Sequence, residues 1–120
     1  MNAQDFRKRT KAYALRIIRL FQALPKNGVS SVLGRQLLRS GTSVGANYRA
    51  ACRAKSKPHF ISKLGDVEEE CDETLYWLEL LIDSGEVKQN RVAALMKEGD
   101  EILALTIASI NTARKAGDRA

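Results

Sequence analysis

Histidine and tryptophan occur once each in this 120-residue chain, proline and cysteine twice. Each scarcity closes a class of function. A single histidine, His59, leaves too little for a histidine metal site or a hydrolytic triad. Cys52 and Cys71 lack C-x-x-C spacing, which fits two small buried, reduced thiols better than a zinc site or a disulfide. No apolar run approaches the roughly 18 residues of a membrane span. The basic N-terminus, MNAQDFRKRTKAYALRIIRLF, is followed by no small-residue cleavage site. A cytoplasmic protein without membrane contact is expected. No Gly-rich phosphate loop, G-x-S-x-G or H-E-x-x-H is present. The run EEECDE looks metal-like, but successive residues point around a helix and do not converge. No metal, no cofactor and no enzymatic activity are therefore expected.

Acid is also missing, from one half of the chain. Residues 1–63 carry fourteen Lys/Arg against Asp5 alone, a net +13. Residues 64–120 carry six Lys/Arg against thirteen acids, a net −7. Such a division implies that the halves neutralise each other in the fold, or that one surface attracts a polyanion.

What is present is helical periodicity. Strand signals and internal repeats are absent, and Pro25/Gly28, Pro58 and Gly85 divide one domain into four amphipathic segments near 5–24, 30–55, 58–84 and 89–115. The first carries Phe6, Tyr13, Ile17, Leu20 and Leu24 on one stripe, the third Phe60, Leu64, Val67, Cys71, Leu75, Leu78 and Ile82, the fourth Val92, Met96, Leu103, Ile107 and Ile110. Ser56 is placed to cap the third helix ahead of Pro58, and Ser84-Gly85 to stop it. Short connections make neighbours antiparallel, so the spacing predicts an all-α, up-down-up-down four-helix bundle.

The second helix is the most informative. At 100° per residue, Arg35, Arg39, Arg49 and Arg53 fall on one stripe about 27 Å long, opposite a core face of Leu33, Leu37, Val44, Tyr48 and Ala51. Gly41 and Gly45 lie together on a flank between the two, where a glycine's helix cost is offset by the close approach of another backbone. Guanidinium groups fork onto phosphate oxygens, so the stripe is a candidate contact with structured RNA or DNA. Two plainer readings stand beside it: a solvated face, and arginines that pair carboxylates across subunits. On the third helix Tyr76, Trp77 and Leu80 point away from the core stripe among acids, the pattern of a protein–protein interface, or of a splayed bundle that partly covers Trp77 with its own loop. An acidic, aromatic face docking on a neighbour's basic face would be heterologous and would close into a ring.

The segments GRQLLRSGTSVGANYRAACRAKS and FISKLGDVEEECDETLYWLELL resemble the four-helix-bundle family of 23S rRNA intervening-sequence proteins, whose relatives include accessory proteins of diversity-generating retroelements. Gln36-Leu37, Arg39, Ser43-Val44, Asn47, Ser56, Phe60, Glu70 and Trp77-Leu78-Glu79 stand in the family's order over about residues 10–112. Ala50 departs from it, where many members carry an acid. The resemblance implies a homopentameric ring and an RNA-linked setting, with a reverse transcriptase or another protein as a possible partner. It transfers no catalytic residue.

Overall fold

The computed structural model describes residues 2–118 and consists of four α-helices: α1 (Ala3–Ala23), α2 (Gly28–Cys52), α3 (Lys57–Asp83) and α4 (Gln89–Asp118). Local chemistry sets the ends. The side chains of Asn2, Asn27 and Ser56 accept from the backbone N–H groups of Asp5, Ser30 and His59, three N-caps of the same kind. Helix α3 stops in a Schellman turn. Gly85 takes φ +82°, its N–H reaches the Ile82 carbonyl, and Glu86 N–H reaches Leu81. A side chain at Gly85 would strain that left-handed backbone.

Contacts between helices pair rising with falling residue numbers, which makes neighbours antiparallel. Arg39 meets Glu73, Thr74 Oγ1 lies 2.9 Å from Ser40 Oγ, and Ser30 and Asn27 donate to Glu86. The Glu86 clasp joins the α1–α2 and α3–α4 turns at one pole, and its two hydrogen bonds hold the Glu86 carboxyl below the ordinary range. The bundle is a rod of 53 × 22 × 20 Å. Its packing is uneven: α2 meets α3 most extensively, and α1 meets α4 least. The α1–α4 seam is closed by Arg9, whose Nε and Nη2 both donate to Glu98 at 2.7 Å, with Glu101 at 3.6 Å.

The core is built from Tyr13, Ile17, Leu37, Val44, Leu64, Val67, Cys71, Leu78, Leu81 and Ile102, all fully buried or nearly so. Three expectations need correction. On α4 the buried stripe is Val92, Leu95, Ile102, Thr106 and Ile110, whereas Met96 and Leu103 are half-buried and Ile107 is exposed. The stripe is disguised because Gly99 occupies one position in it and Thr106, a polar residue, bonds the Ile102 carbonyl at 2.8 Å. On α3 Leu81, on the Thr74 flank that faces Ser40, is buried in preference to Ile82. Cys52 is exposed at the last residue of α2, so only Cys71 is a buried thiol. Burial pushes that thiol up to about 12, and its S–H donates to the Gly99 carbonyl at 3.3 Å.

Candidate nucleic-acid interface

The small-residue flank of α2 faces α1. A Cβ built on Gly41 would lie 2.8 Å from both Cγ1 and Cγ2 of Ile17, and one on Gly45 would lie 3.2 Å from Thr10 Oγ1. Absent side chains therefore let the two helices approach closely. The approach has an electrostatic consequence. Arg7 and Lys11 on α1 stand across a groove of about 470 Å³ from Arg49 and Arg53 at the end of α2. The floor is Ala14, Thr42, Gly45 and Ala46, and no carboxylate lines it. All four cations are exposed, and among the described residues none of them has an ion-pair partner. Thr42 contributes no free donor, because its hydroxyl bonds the Leu38 carbonyl at 2.7 Å.

The arginine stripe is divided. Arg39 Nη1 donates to Glu70 at 3.2 Å, and its Nη2 meets Glu73. That guanidinium is held by α3 of its own protomer. Burial, with the neighbouring Glu73 and Glu69, holds the Glu70 carboxyl above its usual range, while Arg39 pulls the other way. Arg35 is exposed and stands about 27 Å along the helix from Arg53. Arg49 and Arg53 thus belong with α1 more than with Arg35. On the first helix Arg7, Lys11 and Ala14 follow i, i+4, i+7 spacing, which puts them on one face without saying which helix that face meets.

The aromatic face is also more mixed than its sequence suggests. Tyr76 is 53% exposed, but Trp77 and Leu80 are half-buried, and the indole packs against the edge of the core. Trp77 Nε1–H donates to Glu73 at 3.3 Å, and its ring meets Tyr76 edge-on at 5.2 Å. An indole pointing fully outwards is therefore corrected to one wedged on the α2-facing flank, because Trp77 shares that flank with Glu73 and Glu70. The register set by Ser40 and Thr74 brings the first turns of α2 level with the last turns of α3. Two further exposed apolar residues, Val29 at 50% and Val32 at 64%, lie on those first turns of α2. Valines preceding the core stripe had carried no sequence signal.

His59, the lone imidazole, serves the α3 start: its Nδ1 accepts from Lys55 N–H at 3.4 Å. Among the described residues no group of His, Cys, Asp or Glu is placed to hold a metal ion, and no helix is long and apolar enough to cross a membrane.

The family model described as 23S rRNA-intervening sequence protein matches residues 3–108. The chain belongs to that family. A crystal structure of a family relative agrees with its fold: a protein of unknown function from the S23 ribosomal protein family of Bacteroides thetaiotaomicron. It is 36% identical, spans 92% of this chain and 99% of its own, and superposes with a TM-score of 0.86. No curated protein matches the chain. Membership of the intervening-sequence family accounts for the all-α bundle.

Proposed function

We propose that this protein is a non-enzymatic, self-associating helical bundle whose α1–α2 surface binds the phosphate backbone of RNA or DNA. The observation that carries the reading is the groove: four unpaired cations from two helices, with no carboxylate among the lining residues. Arginine and lysine on an uncharged floor attract phosphates without reading base edges. The charge division supports it, since the acids of the second half lie on α3, α4 and the turn between them, where they can neutralise only what they reach. Arg39 is reached, whereas Arg7, Lys11, Arg49 and Arg53 are not. The resemblance to retroelement accessory proteins points in the same direction, towards a chain that works beside nucleic acid.

Self-association rests on exposed Tyr76, Val29 and Val32 and half-buried Trp77 and Leu80, apolar side chains of α2 and α3 of the kind that seal subunits. A homopentameric ring is the assembly proposed. An alternative role as an adaptor, holding a reverse transcriptase or another protein on the same ring, would use these side chains and leave the groove idle.

A salt titration tests the reading. Affinity for a structured RNA falls log-linearly with salt, and the Arg49→Gln/Arg53→Gln variant loses affinity and shows a shallower slope. An unchanged slope and affinity would remove the groove from the function and favour the adaptor. Native mass measurement at micromolar concentration gives a ring for the parent chain and smaller species for Tyr76→Glu/Val32→Glu. A monomeric parent chain would sink the assembly.

A further inference from the structure

We infer that the α1–α2 groove takes one single strand of nucleic acid and discriminates against a duplex. The inference rests on the reading above and names the ligand class of the same site. The register follows from the glycine contacts, in which Gly41 meets Ile17 and Gly45 meets Thr10. Continued along both helices, that register places Arg49 level with Arg7, Arg53 about one turn towards the helix starts of α1, and Lys11 about one turn the other way. Arg7 and Arg49 therefore face each other across the groove, with Arg53 continuing the α2 wall one way and Lys11 the α1 wall the other, over about 10 Å.

Such an arrangement surrounds a chain instead of touching a surface. Packed helices have axes 8–10 Å apart, at the lower end where glycines are in contact, so the groove between two of them is about one phosphodiester chain wide. A duplex presents a convex cylinder whose phosphates cannot enter with cations on both sides. It would need an outward row of charge, and the row on α2 is interrupted, because Arg39 is bound to Glu70 and Glu73.

The walls also set the length and the selectivity. One turn beyond Lys11 the seam becomes apolar, with Leu15 exposed and Ile18 and Leu38 half-buried. The gripped segment is therefore short, about three or four phosphates per protomer by count of the cations. No aromatic side chain lines the groove, so bases find nothing to stack on. Recognition falls on the phosphodiester backbone that RNA and DNA share.

The test is fluorescence anisotropy with oligouridine and oligothymidine of about 12 nucleotides, each alone and annealed to its complement, over a salt series. Single strands of both kinds bind at least about tenfold more tightly than duplexes at equal salt. The logarithmic salt slope per bound protomer is about −2 to −3, from roughly 0.7 for each neutralised phosphate. The exposed pair Arg7→Gln/Lys11→Gln lowers the slope by about 1.4, whereas Arg35→Gln leaves it unchanged, with thermal melts confirming that both variants fold. A preference for RNA over DNA would show that sugar hydroxyls are read and would overturn backbone-only recognition. Equal or tighter duplex binding, or Arg35→Gln as damaging as the groove pair, overturns the single-strand site and leaves a general nucleic-acid role standing. Binding of neither form overturns both.

Discussion

The Tyr13 hydroxyl occupies the space that a side chain on Gly99 would need: a Cβ there would lie 2.7 Å from the phenolic oxygen and 2.8 Å from Leu75 Cδ2. Tyr13 is fully buried, its hydroxyl has no protein partner, and burial raises its pKa. A buried hydroxyl without a partner costs stability that a phenyl ring does not. Tyr13→Phe is expected to raise unfolding stability by about 1 kcal/mol in a urea titration. Gly99→Ala is expected to lower it by about 1–3 kcal/mol through overpacking. In the double variant part of that loss returns, because the colliding oxygen is gone while Leu75 remains. Strict additivity would place the collision elsewhere.

Two other mid-helix glycines should behave oppositely. At Gly41 an added methyl meets Ile17, whose branched Cβ is itself only 3.1 Å away and cannot swing aside. At Gly65 nothing lies within 4 Å. Gly41→Ala is expected to destabilise by about 1–3 kcal/mol, and Gly65→Ala to stabilise by about 0.5–1 kcal/mol from helix propensity. Thermal melts of the two variants decide it, and two shifts in the same direction would contradict the packing.

The thiols differ in reach. Cys52 is exposed, whereas Cys71 is buried with its thiol pushed up to about 12. A thiolate is the reactive form, so the native protein should consume one equivalent of an aromatic disulfide reagent rapidly and the second only on unfolding. Cys52→Ser should abolish the fast phase. Fast reaction of Cys71 would mean that α3 and α4 open readily.

The acid limb of stability should depend on the α1–α4 seam. The hydrogen bonds from Arg9 hold the Glu98 carboxyl below the ordinary value of 4.5, against the opposing effect of burial. A depressed folded-state pKa stabilises above the unfolded value and loses that contribution as pH falls through the folded one. Below about pH 4.5 the parent chain should therefore lose stability more steeply than Glu98→Gln. At neutral pH the variant should be weaker by about 1–2 kcal/mol, the worth of a charge-assisted hydrogen bond. Parallel pH profiles would remove this pair from the account.

Much of the architecture was legible because amphipathic spacing and punctuation agreed. Ser56 before Pro58 and Ser84 before Gly85 predicted both ends of α3, and both ends lie there. Helix α4 was harder to read, since its buried stripe passes through Gly99 and Thr106, residues that score as neither apolar nor periodic. The arginines were legible as a stripe on one helix. Their division was not, because it depends on which neighbour each arginine meets. Arg39 reaches acids on α3, while Arg49 and Arg53 look across at Arg7 and Lys11, and a single-helix wheel carries no information about the facing helix.

An even number of antiparallel helices returns the chain to the pole from which it set out. The start of α1, the α2–α3 turn and the last turn of α4 gather there, beside Arg7 and Arg53. A bulky or charged label attached in the α2–α3 turn would crowd that end of the groove and add its own charge to it. Probes are better attached at the opposite pole, on Lys26 or Lys88, where the Glu86 clasp holds the two turns together and the cations are farthest away.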